Sequence, residues 1–264
     1  VLVTMGVLAH ATAGHAQQRL ADFRRVIVAD DPLPVQTAAA EELASYVERI
    51  CGQKLTVLPV GEYDAAAEGL SFFVGEGVAR ALLGLELGPW REEEWLVRTV
   101  PQGLVLAGSD EAGSPWSLSI EAGSMLAVYT LLDDYLGVRW FWPGPFGEHV
   151  PHQPDAVIPP LDLRAAPVFC IRSIQLGYSS YHTEAFRDSA ARWARRSRLG
   201  WTRSAVFGHS WYGAFNLRSD ETFRQHPDWF ALVNGVRRGP QMCTTHPEVI
   251  EHMVQYVLNS KYDI

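Results

Sequence analysis

Cysteine and lysine are scarce in this chain, and long uninterrupted apolar runs are missing. Its three cysteines, Cys51, Cys170 and Cys243, show no metal-ligand spacing, and an odd number leaves no complete disulfide framework. They are expected as buried free thiols. A Cys170–Cys243 bridge is the alternative if the mature protein is extracytoplasmic. Lys54 and Lys261 are the only lysines, and acidic residues outnumber basic ones 30 to 22, a formal net charge of −8. Nucleic-acid binding normally relies on a basic patch, so no nucleic-acid partner is expected. No apolar run is long enough for a lasting membrane span. No serine sits in a G-x-S-x-G setting, which argues against a Ser-His-Asp triad built on that turn. His226, His246 and His252 lack metal spacing, and neither metal nor cofactor is expected. Gly75-Glu76-Gly77 has no third glycine and no Lys-Ser/Thr at the required offsets, so it reads as a turn and not a phosphate loop.

What is present is enough apolar material for one large core or two modest ones: 264 residues, 47% hydrophobic. Trp and Tyr number nine each. Most are expected in the core, although flat aromatic faces also suit sugars. The start, Val1 to Ala16, is apolar and small, with Gly14-His15-Ala16 before a polar run. It reads as a signal peptide within a leader over 1–22, giving a secreted, periplasmic or cell-envelope protein. The alternative is a plain N-terminal extension.

Period then organises the chain. Strands are expected at Phe23–Ala29, Leu55–Val60 and Leu70–Val74. A hairpin is expected from Trp95–Val100 to Leu104–Ala107. Val35, Ala39, Leu43, Tyr46, Val47 and Ile50 share one face of a helix that Gly52 stops. Gly123–Leu136 reads as an amphipathic helix with Met125, Tyr129, Leu132 and Leu136 inward and Asp133 and Asp134 solvated. Gly137 caps it, and Val138–Trp142 follow as a strand. Side chains alternate along a strand, so Phe141 is expected in the core and Trp140 or Trp142 against the next domain. His152–Ala166 is Pro-rich and aperiodic, a linker. Beyond it come a strand at Val168–Ile174, a helix at Glu184–Leu199 ended by Gly200, and a strand at Ser204–Phe207. Asn234-Gly235 is a hairpin signal, and Thr245-x-x-Glu248 reads as a capping box opening a helix to Leu258. Tyr262–Ile264 looks like another strand entry.

The run AVYTLLDDYLGVRWFWPGPFGEHVP (residues 127–151) resembles the close of the small α/β domain that precedes the barrel in family 20 β-hexosaminidases and family 67 α-glucuronidases. With HPDWFALVNGVRR and MCTTHPEV, it is most similar to the proteins described as domain of unknown function 4838, which include family 163 endo-β-N-acetylglucosaminidases. The resemblance runs from about Arg24 to the end. It implies an α/β sandwich (23–151, hexosaminidase domain-2-like), a linker (152–166) and the start of a (β/α)8 barrel (167–264), truncated because such barrels take ~250 residues.

Barrel ligands bind at the carboxyl ends of the strands, which picks out Arg172, His209, Trp211, Thr245 and His246. Arg172 stands where hexosaminidase-like barrels place a sugar-binding arginine; the alternative is pairing with a carboxylate. Trp211 would floor a pyranose and His209 would bond a hydroxyl, with local packing as the alternative. Glycoside hydrolysis usually needs two carboxylates. Glu92-Glu93-Glu94 lack apolar enclosure, Glu148 suits fixing the linker, and Asp220, Glu221 and Asp228 suit capping, so no catalytic acid is assigned. The resemblance implies a hydrolase of N-acetylglucosamine-containing glycan, with an oligosaccharide as partner. An α-glucuronidase-like enzyme and a non-catalytic carbohydrate-binding protein are the alternatives.

Overall fold

The computed structural model describes residues 16–174, 183–201, 211–217 and 220–259. The chain divides into two compact units, Val1–Thr202 and Arg203–Ile264. The signal-peptide residues Val1–His15, the strand expected at Ser204–Phe207, His209 and the strand entry at Tyr262–Ile264 lie outside the described residues.

In the first unit the elements run β1 (Gln18–Arg19), β2 (Phe23–Val28), α1 (Pro34–Cys51), β3 (Thr56–Pro59), β4 (Leu70–Val74), α2 (Glu76–Leu83), β5 (Trp95–Val100) and β6 (Gly103–Gly108). Then come α3 (Gly123–Thr130), β7 (Arg139–Trp140), β8 (Glu148–His149), β9 (Val157–Ile158), β10 (Asp162–Ala165), β11 (Ile171–Arg172), α4 (Glu184–Arg196) and β12 (Gly200–Trp201). Six strands form a mixed sheet in the order β10-β5-β6-β4-β2-β3. The β3, β2, β4 and β6 ladders are parallel, whereas β5 and β10 add antiparallel.

Alternation assigns the two faces. Val26, Phe72, Val97 and Leu106 point to a large core under α1 and α3, while Ile27, Phe73, Leu96 and Val105 point to a smaller one with Val78 and Ala79 of α2. With both faces covered, the central strands read as continuous apolar runs. The expected α1 face is buried throughout, and Gly52 (φ +78°) ends the helix by donating to the Glu48 carbonyl. Gly75 precedes α2, so Gly77, expected in a turn, lies in that helix's first turn.

Four expectations about this unit are corrected. The helix α3 is not amphipathic: all eight residues are buried, and it continues as a π-turn over Leu131–Tyr135, where Leu136 donates to the Leu131 carbonyl at 3.1 Å. Asp133, expected on a solvated face, is half-buried and bound by Arg198 and Arg139, whereas Asp134 is exposed and pairs with Arg198. The stretch 152–166 is not a bare linker: β9 pairs with β1, and β10 fills the edge of the main sheet beside β5. Phe141 is 73% exposed, whereas Trp140 is the aromatic that turns inward, edge-on to Tyr46 and Tyr129. The strand there is only two residues long, so the alternation argument lacked a strand to act on.

After Ala165 the expected parallel barrel pattern is not what the described residues form. The strand expected at Val168–Ile174 shrinks to Ile171–Arg172 and pairs antiparallel with Gly200–Trp201. Gly200, expected to stop α4, sits in that strand, and the helix ends at Arg196. The cysteines are free as expected, with no Cys170–Cys243 bridge, but Cys170 is exposed and Cys51 and Cys243 are half-buried.

The second unit contains α5 (Trp211–Ala214), α6 (Glu221–Gln225), β13 (Phe230–Val233), β14 (Val236–Met242) and α7 (Pro247–Leu258). Its core is small: Phe215, Phe230, Met242 and Val249. The hairpin turns at Asn234 (φ +52°) and Gly235 (φ +79°), both left-handed as a two-residue primed turn requires. The capping box does not form. His246 takes the N-cap position of α7 without a side-chain cap, because Pro247 occupies the first helical position.

Candidate functional site

The candidate residues fall into two groups, one in each unit. Arg172, on β11, has its guanidinium occupied. Its Nη1 and Nη2 donate to the two oxygens of Glu93 at 2.9 and 2.7 Å, Nε donates to the Arg198 carbonyl at 2.9 Å, and Nη1 also donates to the Phe169 carbonyl at 2.6 Å. A planar fork matched to a carboxylate is the geometry arginine suits best. Here it fastens β11 to the turn before β5.

Glu93 and Glu94, expected to lack enclosure, are each only 2% exposed. Glu94 accepts from Arg164 Nη2 and Arg91 Nε, both at 2.7 Å. Burial works to raise its carboxyl, but the hydrogen bonds from Arg164 and Arg91 outweigh that and hold it at about 2. A catalytic acid needs the opposite shift. Glu148, expected to fix the linker, instead binds Arg49 and Arg196. With Glu42, which Arg196 also binds, it secures α4 against α1.

The second unit gathers a different set. A single 3-10 turn, Pro227–Trp229, ends just before β13, and the Cys243 amide donates to the Trp229 carbonyl at 2.7 Å. That bond brings the run His226-Pro227-Asp228-Trp229 beside Thr245-His246-Pro247-Glu248. His246 Nε2 lies 3.0 Å from Asp228 Oδ2, and Trp229 Nε1 donates to Glu248 Oε2 at 2.9 Å. The His226 ring stacks on Trp229 at 4.0 Å. Trp211 stacks on Phe215 at 5.4 Å, and Phe215 meets Trp229 edge-on at 5.9 Å, so the three rings form one continuous run.

With Asp228 on Nε2, neutral His246 carries its proton there, and Nδ1 is left as an acceptor. That Nδ1 is buried and has no hydrogen-bond partner among the described residues. Thr245 is exposed beside it, with its hydroxyl 3.5 Å from Cys243 Sγ. The Thr245 hydroxyl and amide, with Arg237, hold the Cys243 thiol below its usual range.

Of the residues picked from sequence, Thr245 and His246 therefore lie together, Trp211 joins the same ring run, and Arg172 belongs to the first unit. Asp228, His226, Trp229 and Glu248 escaped that selection. The available signal was the repeated His-Pro dipeptide, each followed within two residues by an acid. Asp228 was expected to cap a helix, and it pairs with His246 instead. Asp220 sits at the N-cap of α6 without a side-chain cap bond.

Chemically, the arrangement offers an exposed carboxylate, an oriented imidazole and a hydroxyl around an indole. These groups can hold vicinal hydroxyls. Among the described residues, no group of three or more His, Cys, Asp or Glu is placed to hold a metal ion. No described helix is long and apolar enough to cross a membrane.

Residues 142–261 match the family described as Domain of unknown function (DUF4838). The matched segment includes the whole Asp228–Glu248 cluster and Arg172. No curated protein matches the chain. Among solved structures, the chain is similar to the GH20 β-N-acetylhexosaminidase from Streptomyces coelicolor A3(2), at 16% identity and a TM-score of 0.37 over 60% of this chain and 25% of that one. It is also similar to a Streptomyces plicatus β-hexosaminidase in complex with product GlcNAc, at 18% identity and a TM-score of 0.37 over 60% and 25%. A family GH115 4-O-methyl-α-glucuronidase, BtGH115A, with specificity for decorated arabinogalactans, matches at 13% identity and a TM-score of 0.39 over 57% and 18%. The chain thus spans a quarter or less of the length of these solved proteins, and similarity of this degree decides nothing about chemistry.

Proposed function

We propose that the chain is part of a secreted glycoside hydrolase acting on N-acetylglucosamine-containing glycans, and that its second unit contributes a wall of the sugar site. The observation that carries the reading is the Asp228–His246 pair beside Trp229, Thr245 and Glu248. A pyranose is recognised by carboxylates and imidazoles that bond its hydroxyls and by aromatic rings that cover its C–H faces. Asp228 is held by His246 and Glu248 by Trp229, so both serve as fixed acceptors, and the reading gives them binding and not proton transfer. Thr245, His246 and Trp211 keep the sugar role the sequence suggested. Arg172, with its fork closed on Glu93, is assigned to support. A signal peptide ending at Ala16 belongs to the same proposal.

Titration of the chain with chitobiose and chitotetraose tests it. Asp228→Asn, at a side chain 60% exposed, keeps the shape of the site and removes its charge. Affinity is expected to fall about ten-fold, the loss of one charge-assisted hydrogen bond, with the melting temperature unchanged. Unaltered affinity in this variant and in Thr245→Ala would remove the second unit from the sugar site.

A further inference from the structure

Helix α4 is fastened to the first unit unlike α1, α2 and α3. Those three are held by apolar side chains, whereas neither apolar core of the unit includes a residue of α4. Of its 13 residues only Ala194 and Arg195 are buried. The helix docks instead through long side chains near its C-terminal end. Arg192 lies on the Trp116 ring at 4.1 Å, and Trp193 Nε1 donates to the Trp140 carbonyl at 3.0 Å. Arg196 forks onto Glu42 at 2.7 and 2.9 Å and reaches Glu148 at 2.5 Å. Just past the helix, Arg198 binds Asp133 and Asp134 at 2.5 and 3.0 Å. Burial works against the charge on Arg196, but the hydrogen bonds to Glu42 outweigh it and hold the guanidinium above its usual range.

Two features of the closed arrangement oppose it. Arg195 is fully buried, yet its partners are carbonyls alone: Nε donates to Pro115 at 3.1 Å, and Nη2 donates to Ser117 and, at 3.4 Å, to Ile120. Its Nη1 has no hydrogen-bond partner among the described residues. Burial pushes the guanidinium below its usual range, so docking α4 desolvates a charge without a carboxylate to offset it. Arg198, between α4 and β12, has a left-handed backbone (φ +57°), which strains any residue with a side chain. Both costs are relieved when the helix leaves.

The strands on either side of α4 are anchored without it. Strand β12 pairs with β11, and the Trp201 N–H donates to the Leu118 carbonyl at 2.7 Å. Arg172 ties β11 to Glu93 at 2.7 Å. On the seat that α4 covers, Arg49 also holds Glu148 at 2.8 Å and Arg139 also holds Asp133 at 2.6 Å, so neither carboxylate is stranded by its departure. An isolated helix of this length is marginal in water, so an undocked α4 unravels and exposes its amides.

We propose that α4 is a strap poised to open: it leaves the first unit as a piece while the six-stranded sheet stays folded, and ionic strength sets how often it does so. Salt screens the partly exposed Arg198 pairs, whereas the apolar cores, in which α4 has no share, are not weakened by it.

Hydrogen exchange on the full chain tests this, comparing the amides of α4 with those of β4 and β6 at ~50 mM and ~500 mM sodium chloride. The α4 amides are expected to exchange through an opening that needs less free energy than the opening of the sheet. That opening should respond less to urea, because it exposes less surface. High salt should speed exchange in α4 several-fold and leave β4 and β6 unchanged. Arg196→Met removes the fork at similar side-chain length and should raise α4 exchange at least about ten-fold, again without change in the sheet. Glu148→Gln keeps its shape, removes one partner and should act in the same direction, which keeps the test open if Arg196→Met fails to fold. Parent α4 amides that exchange together with β4 and β6, or that have no protection at low salt, overturn the strap. So does loss of sheet protection alongside α4 in both variants. An α4 indifferent to salt, or to both substitutions, overturns the electrostatic hold.

Discussion

Glu94 shows how much a single side chain's meaning depends on distant partners. Its three-acid run lies before a strand and looks solvent-facing, yet Arg164, 70 residues later, reaches back to it. A carboxyl at about 2 in the folded chain against 4.5 for the free group contributes stability that is present in full above pH 4.5 and lost as the pH falls toward 2. The contribution is about 3 kcal/mol. Glu94→Gln is therefore expected to be less stable at neutral pH, with a flatter acid limb between pH 4.5 and 2, as read by urea unfolding across that range. An acid limb identical to the parent's would mean that Glu94 is not ion-paired. The same blindness affected Arg172. Its residue type and place near a strand end were legible, but the partner that closes its fork, Glu93, stands 79 residues away and carries no local mark. Thr245 and His246 could be read because their neighbours in space are also near in sequence.

At the scale of elements, legibility followed period. The inward face of α1, the β5–β6 hairpin and the Asn234-Gly235 turn each carry a local rule that tertiary contacts did not override. Helix α3 misled because Met125 and Tyr129 fit a stripe with Leu132 and Leu136 of the turn that follows, while its remaining positions are small or apolar enough to be buried as well. Its Leu126 is fully buried, whereas Phe141, expected in the same core, is exposed. Leu126→Ala is expected to cost about 2–5 kcal/mol by cavity formation, and Phe141→Ala less than about 1 kcal/mol. Chemical denaturation of the two variants measures both, and a reversed order would put Phe141 back inside. The edge strand β10 was hidden by Pro159 and Pro160, which read as linker chemistry although prolines also precede edge strands without harm.

On the scale of the whole molecule, the two units differ in what holds them. The first has sheet faces covered on both sides, and the second relies on four buried apolar residues and a hairpin. Units of about 60 residues bury a smaller share of their surface than larger domains do and are correspondingly marginal. Hydrogen exchange is expected to be slowest in β4 and β6 and markedly faster in β13, β14 and α7. Equal protection in both units would show that the second is stabilised from outside its own core. The change of pattern in the sequence falls at 152–166, and the two compact units divide after Thr202. The turn to a new unit was expected near residue 152, whereas β10, β11 and α4 still belong to the first.

The position of β10 also bears on how the chain is made. Strand β5 offers one edge to β6, whose paired residues follow within thirteen positions, and the other to Asp162–Ala165, which a ribosome delivers more than sixty residues afterwards. Until then the growing polypeptide carries an open strand edge of the kind that invites pairing with other chains. Arg172 and α4 arrive later still and close Glu93 and Glu42 from behind. The first unit is thus a structure completed by its last-synthesised segment, and a translational pause before Asp162 would hold it at its most adhesive stage.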